Sequence, residues 1–266
     1  MYPYPKSYSP LLTLSDHTPL VYNTHQIAGN IFTWNILVQG RFNQRNQYFN
    51  NGFGIIESSD EYHIRLKYVA KEIADFAEQH NIGILTLQEM PKSSEDIYYF
   101  MDLLEENLNA TKHQYRIHKD FLNLPQGNFL VFDKERFSAQ NITSDFQDNI
   151  ELIEQNNNYQ YFEIQNLEKQ TKFALINAHF YWHEPMSREF FNSVTDIRSI
   201  IESAENYSDI SSVIMCGDFN LDLDSTDLSR DYAVYTVRDT TLAHKYDRNI
   251  QVLETVDGFV AYTIPK

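Results

Sequence analysis

Apolar positions along the chain follow two alternating rhythms. In Ser59 to Gln79, residues Leu66, Val69, Ile73 and Phe76 recur at three- and four-residue intervals and share one helical face, with Ser58, Ser59 and Asp60 as capping residues. Ile97, Met101, Leu104 and Leu108 repeat this pattern, as do Phe190, Val194, Ile197 and Ile201. Between them lie apolar runs of strand length: Ile31 to Ile36, Ile82 to Leu87, Phe129 to Phe132, Tyr159 to Ile164, Phe173 to Ala178, Val213 to Cys216 and Val256 to Tyr262. The polar stretch Gln155 to Asn158 reads as a hairpin tip or loop. No internal repeat or long linker breaks the alternation. It therefore predicts one α/β domain over residues 1–266, with helices on the outsides of two packed sheets.

Composition agrees with a large, sheet-rich core. Hydrophobic residues make up 42% of the 266 positions, and the 18 Tyr and 18 Phe suit half-buried pleated surfaces. No apolar run approaches the roughly 20 residues that cross a bilayer, which predicts no integral membrane association. MYPYPKSYSP lacks a basic region followed by an apolar stretch, so no secretory signal is expected; cytoplasmic residence and leaderless export both stay open. A single cysteine, Cys216, excludes an internal disulfide and a cysteine-based zinc cluster. Net charge is −16, which works against gripping duplex DNA through many phosphates but leaves room for a local basic groove. Lys112 to Lys119, with His113, Arg116 and His118, is the best stretch for one, and its simpler reading is a solvated surface.

Chemistry enters at the strand ends. Asn35 closes IFTWN, Glu89 closes ILTLQE, Asn177 and His179 close FALINAHF, and Asp218 and Asn220 close VIMCGDFN; Asp257 lies inside ETVDGFVAY. Asp218 and Asn220 are two apart, as are Asn177 and His179, so in extended backbone each pair projects to one face. Gly217 permits a tight approach before Asp218. Glu89 or GDFN alone is an ordinary surface charge or turn, and His179 alone an ordinary core histidine. Polar groups ending several apolar runs at one edge are difficult to assign to chance. Two carboxylates such as Glu89 and Asp218 are unfavourable to bury together without a cation. Magnesium suits one or two carboxylates plus waters and substrate oxygens, whereas zinc favours His or Cys in a closed tetrahedron.

Taken together, these strings resemble the endonuclease/exonuclease/phosphatase superfamily, which includes deoxyribonuclease I, abasic-site endonucleases, sphingomyelinases and inositol polyphosphate phosphatases. The matching segments are Thr33-Trp34-Asn35, Leu87-Gln88-Glu89, Asn177-Ala178-His179, Gly217-Asp218-Phe219-Asn220 and Val256-Asp257-Gly258-Phe259, with Gly127 to Lys134 as the family's middle strand. The family closes on S-D-H-x-P, yet only nine residues follow Asp257; Ser15-Asp16-His17-Thr18-Pro19 stands instead ahead of the WN strand. The resemblance implies a circular permutation, with Asn23 to Asn30 as a new connection between Thr18–Tyr22 and Ile31–Asn35. The implied fold is α/β (α+β): a four-layer αββα sandwich of two mixed β-sheets flanked by helices.

The resemblance also implies roles. Glu89 binds Mg2+ (Mn2+ as substitute), Asn35 is a neutral ligand or a partner of one, and Asp16 sits close to the metal. Asp218 orients or deprotonates the attacking water, and Asn220 holds that water or a phosphoryl oxygen. His179 and His17 donate to the phosphate, and Asp257 orients His17. Other clusters carry less. Asp222, Asp224 and Asp227 lack the Gly and terminal Glu of a calcium loop and read as exposed acids. Tyr181, Trp182 and His183 either line the cleft or pack in the core, and Arg41 and Arg45 are candidates for a second phosphate. The expected function is a magnesium-dependent phosphoesterase, either phosphodiesterase, nuclease or phosphatase. Its substrate is a nucleic acid, nucleotide, phospholipid head group or phosphorylated small molecule. The alternative is a catalytically weak domain of the same fold that binds a protein partner.

Overall fold

Period-two alternation sorts the strand residues between two apolar environments, and this sorting builds the layers. The computed structural model describes residues 15, 17, 19–25, 27–36, 59–91, 93–118, 127–147, 150, 152–154, 157–181, 183, 186–207, 209–236 and 257–264. One sheet contains β1 (Leu20–Asn23), β2 (Asn30–Asn35), β3 (Ile82–Gln88), β4 (Tyr115–Ile117) and β5 (Phe129–Asp133), in the order β1-β2-β3-β5-β4. The second contains β6 (Phe137–Asn141), β7 (Asn158–Asn166), β8 (Thr171–His179), β9 (Ser212–Asp218), β10 (Ala233–Thr236) and β11 (Asp257–Thr263), in the order β10-β11-β9-β8-β7-β6. The pairs β2/β3 and β8/β9 are parallel and the other pairs antiparallel, so both sheets are mixed.

Helices α1 (Ser59–Gln79) and α2 (Ser94–Asn109) bury Leu66, Val69, Ile73, Phe100 and Leu104 against Phe32, Trp34, Leu85 and Leu87 of the first sheet. Helices α3 (Thr143–Gln147) and α4 (Arg188–Tyr207) bury Phe146, Phe190, Ile197 and Ile201 against Tyr159, Ala174, Ile176 and Met215 of the second. Between the sheets lie Ile31, Ile84, Leu130, Phe162, Leu175, Ile214 and Phe259. The result is a four-layer αββα sandwich, as expected.

The inner face changes character along each strand. Reading every second residue gives Ile31-Thr33-Asn35, Ile84-Thr86-Gln88, Leu175-Asn177-His179 and Ile214-Cys216-Asp218. The antiparallel strands run the other way, from Asn128 to Leu130 and from Asp257 to Phe259. Each row is apolar in the middle of the sandwich and polar at one shared edge. Direct bonds cross between the sheets within these rows: Thr86 Oγ1 lies 3.3 Å from Cys216 Sγ, and Gln88 Nε2 donates to Asn177 Oδ1 at 2.7 Å.

Several expectations need adjustment. Asp257 opens its strand instead of lying inside it, and reaches the common edge because β11 is antiparallel to β9, with Asp257 opposite Asp218. Strand β1 runs from Leu20 and pairs antiparallel with β2, and the connection narrows to residues 24–29, where the Thr24 hydroxyl and amide both donate to the Gly29 carbonyl. Strand β4 occupies the middle of Lys112 to Lys119, with Tyr115 and Ile117 buried, so that stretch is not a wholly solvated surface. Of the polar run before β7, Asn157 lies in a loop, buried and bonded to α4, and Asn158 opens β7. Strands β4, β6 and β10 are only three to five residues long, too short for a periodicity to mark them.

Gly217 lets strands β8 and β9 approach closely at the polar edge. It adopts a φ of 137°, and a Cβ there would lie 2.0 Å from the Ala178 carbonyl oxygen, a backbone atom that cannot swing aside. At Gly127 a Cβ would meet only the Met90 side chain, at 3.2 Å. Gly217→Ala is therefore expected to destabilise by about 3 kcal/mol or more, and Gly127→Ala by about 1 kcal/mol or less. Urea denaturation of the two purified variants checks this, and equal midpoints would contradict it.

Candidate active site

The polar ends of the inner rows converge on one carboxylate. Asp218 is 1% exposed, and its Oδ2 accepts a hydrogen bond from Asn35 Nδ2 at 2.9 Å. The same oxygen lies 3.7 Å from His17 Nε2 and 3.9 Å from His179 Nε2. Its other oxygen accepts from the Asn220 backbone N–H at 2.9 Å. Glu89 Oε1 stands 3.5 Å from His179 Nε2, and Asp257 Oδ2 contacts His17 Nδ1 at 2.8 Å. Thus Asn35, Glu89, His179, Asp218, Asp257 and His17 form one buried cluster drawn from four strands, the residue after β3 and the segment ahead of β1.

Local backbone places these groups. Glu89 follows β3 with a φ of 54°, a left-handed conformation that is unfavourable for a side chain bearing a Cβ and turns the chain at the sheet edge. Ser15 Oγ donates to the Asn35 carbonyl at 2.6 Å and accepts from the His17 N–H at 3.1 Å, and Trp34 Nε1 donates to the His17 carbonyl at 2.9 Å. The first and last of these bonds seat the segment carrying Ser15 and His17 on the end of β2, and the second is internal to that segment. Beneath the cluster, Asn177 Nδ2 donates to the carbonyls of Leu87 and Phe129 at 3.3 Å and 3.0 Å, and Asn128 Nδ2 donates to the Asn177 carbonyl at 3.1 Å. Gln88 and Asn128 were given no role from sequence. The strings QE and GN contained them, and the inner-row periodicity identifies them once the strands are known.

Asn220 differs from expectation. Its φ is 48°, so the backbone is no longer extended and Asn220 does not continue the face of Asp218. Its Nδ2 donates to the Phe180 carbonyl at 2.8 Å instead. Asp16, Arg41, Arg45 and Trp182 lie outside the described residues. Asp222, Asp224 and Asp227 do not gather: Asp222 accepts from the Ser225 hydroxyl, Asp224 accepts from Thr236 Oγ1 at 2.9 Å, and Asp227 pairs with Arg198 at 2.9 Å.

Electrostatics give the cluster its chemical character. Burial disfavours the His17 imidazolium, but the Asp257 and Asp218 carboxylates outweigh it and hold the pKa up at about 9. Burial also raises Asp218, with His17 acting in the opposite sense. Glu89, Asp218 and Asp257 thus bring three buried carboxyl groups beside the imidazoles of His17 and His179. Neither ring nitrogen of His179 has a hydrogen-bond partner among the described residues. Glu89, His179 and Asp218 each offer a ligand atom, all within 4.8 Å of one another, and His17, Asp218 and Asp257 do the same. This donor set, rich in carboxylate oxygen, fits a hard divalent cation.

No protein-family model matches the sequence, and no curated protein matches it. Solved structures match over most of the chain. ANGEL2, a 2′,3′-cyclic phosphatase solved with adenosine-2′,3′-vanadate, superposes with a TM-score of 0.52 at 15% identity, covering 89% of this chain and 67% of that one. An endonuclease/exonuclease/phosphatase family protein from Bacteroides thetaiotaomicron superposes at 0.50 with 12% identity, covering 92% and 83%. The chain has the endonuclease/exonuclease/phosphatase fold. Within this endonuclease/exonuclease/phosphatase fold the buried cluster occupies one edge of the sandwich, between the two sheets.

The raised pKa of His17 has a thermodynamic consequence. Protonated His17 is favoured in the folded state, so its contribution is complete below about 6.5 and is lost as pH rises through about 9. The displacement corresponds to on the order of 3 kcal/mol. In the presence of EDTA, folding free energy should therefore fall between pH 7 and pH 10, and His17→Gln should flatten that slope. Denaturation at each pH measures it; an unchanged slope in the variant would contradict the assignment.

Proposed function

We propose that this chain is a magnesium-dependent phosphoesterase that hydrolyses a phosphate ester by attack of water. The observation that carries the reading is the single buried oxygen, Asp218 Oδ2, with Asn35, His17 and His179 within 3.9 Å of it. Phosphoester hydrolysis needs an oriented water, neutralisation of the phosphoryl oxygens and help for the leaving oxygen. Glu89 and Asn35, with Asp16 as the resemblance implies, would hold a divalent cation that would supply the neutralisation. Asp218 orients or deprotonates the attacking water. Asn220 holds Asp218 through its backbone N–H. His17 and His179 donate hydrogen bonds to the phosphate, and Asp257 keeps His17 oriented and protonated across the neutral range. The buried Asp257–His17 contact, beside Glu89, His179 and Asp218 in one cluster, supports an active enzyme over a domain that only binds a partner.

The order of the motifs is read as a circular permutation. Support comes from the segment carrying Ser15 and His17, which lies on the end of β2 and continues into β1, itself paired with β2.

Hydrolysis of bis-p-nitrophenyl phosphate should require magnesium or manganese and stop with EDTA. His17→Ala and Asp218→Ala should each lower kcat by about 100- to 10 000-fold while the far-ultraviolet circular dichroism is unchanged. Near wild-type turnover in either folded variant would remove these residues from the mechanism, and no metal-dependent turnover in the parent protein would leave the partner-binding reading.

A further inference from the structure

The two histidines of the cluster are held in different ways. His17 has a fixed partner, Asp257, at 2.8 Å from its Nδ1. Around His179 the neighbouring carboxylate oxygens of Glu89 and Asp218 stand at 3.5 Å and 3.9 Å, long for a hydrogen bond, and neither ring nitrogen has a hydrogen-bond partner among the described residues. The place of that ring therefore depends on the backbone that carries it.

Upstream, this backbone belongs to the sheet: His179 is the last residue of β8, opposite Asn158 on β7 and Asp218 on β9. Downstream the ladder ends and individual bonds replace it. On the β9 side, the Phe180 N–H donates to the Asp218 carbonyl at 2.9 Å, and the Phe180 carbonyl accepts from Asn220 Nδ2 at 2.8 Å. On the β7 side, the Tyr181 N–H donates to Asn157 Oδ1 at 3.1 Å. Asn157 is itself buried, and its Nδ2 donates to Asp196 Oδ2 and Ser193 Oγ, both at 3.0 Å. A carboxylate accepts, so the bond to Asp196 fixes which way the amide points: Nδ2 toward α4 and Oδ1 toward Tyr181. Asp196, 1% exposed, also accepts from the Ile153 and Glu154 N–H groups at 2.8 Å and 3.1 Å, and the next residue, Ile197, seats α4 in the core. Those two backbone bonds suffice to tether the loop ahead of β7. The Asn157 bridge continues the tether to a point two residues past His179.

We infer that Asp196, acting through Asn157, is a positioning residue that sets where His179 stands in the cluster, a role that rests on the phosphoesterase reading. Without the bridge, the segment leaving β8 is held on its β9 side alone, and misplacing a reacting group by about 1 Å costs on the order of 100-fold in rate. His17 is outside this chain of bonds, because Asp257 holds its ring while Ser15 and Trp34 hold its backbone.

The test is a double-mutant cycle on bis-p-nitrophenyl phosphate in magnesium, with Asn157→Ala and Asp196→Asn each made in the parent protein and in His179→Ala. In the parent, both should lower kcat roughly 10- to 100-fold with KM within about three-fold, whereas Ser193→Ala, which leaves the Asp196 bond in place, should stay within about two-fold. In His179→Ala the same two changes should cost less than about two-fold further, since the group they position is gone. Nuclear magnetic resonance of histidine-labelled protein in EDTA gives a readout independent of turnover: the His179 ring signal should move in Asn157→Ala and Asp196→Asn, and the His17 signal should not. Should Asn157→Ala fail to fold, Asn157→Ser, too short to span Asp196 and Tyr181, carries the same expectations. If the parent hydrolyses nothing, the phosphoesterase reading fails and the ring signals alone decide this one. Losses that multiply in full with His179→Ala overturn the inference, as does a His179 signal that stays in place or moves together with that of His17.

Discussion

A carboxylate sealed between two sheets has lost its hydration and must be compensated by what surrounds it. Asp218 is in this position, and much of the architecture can be understood as its compensation. Asn35 comes from the neighbouring sheet, His179 from the adjacent parallel strand, and His17 from the segment ahead of β1. Removing water strengthens every one of these interactions, and it makes each an obligation as well.

The rest of the sandwich delivers these groups with the required accuracy. The apolar ends of the inner rows bury Ile31, Ile84, Leu175 and Ile214, and the helices seal both outer faces. Polar residues at the other ends are bonded across the sheets by the Gln88–Asn177 and Asn128–Asn177 contacts, which keep the two edges in register. Gly217 lets β8 and β9 approach closely where His179 and Asp218 stand side by side. Trp34, with its ring in the outer core, uses its indole N–H to hold the segment bearing His17. A core residue thereby takes part in orienting the site.

The fold is shared with proteins at 15% identity and below, so overall architecture tolerates replacement of most side chains. Architecture alone therefore says little about chemistry. The functional reading rests on this chain's own contacts, above all the pairing of His17 with Asp257 and the gathering of Glu89, His179 and Asp218.

The amino-acid sequence by itself determined the helices, the long strands and the face that each buries, because those follow from periodicities of 3.6 and two among near neighbours. It also carried the polar residues at the sheet edge, since Asn35, Glu89, His179 and Asp218 end apolar runs. Tertiary structure alone decided the rest. Strands β4, β6 and β10 exist because longer neighbours offer an edge to pair with. Asn220 leaves the extended backbone at a turn that no periodicity encodes. Asp257 reaches the cluster only because β11 runs antiparallel to β9, and it meets His17 across 240 residues of sequence. Desolvation and Coulomb attraction depend on distance in space, so the charge state of His17 becomes defined only when the chain has closed around it.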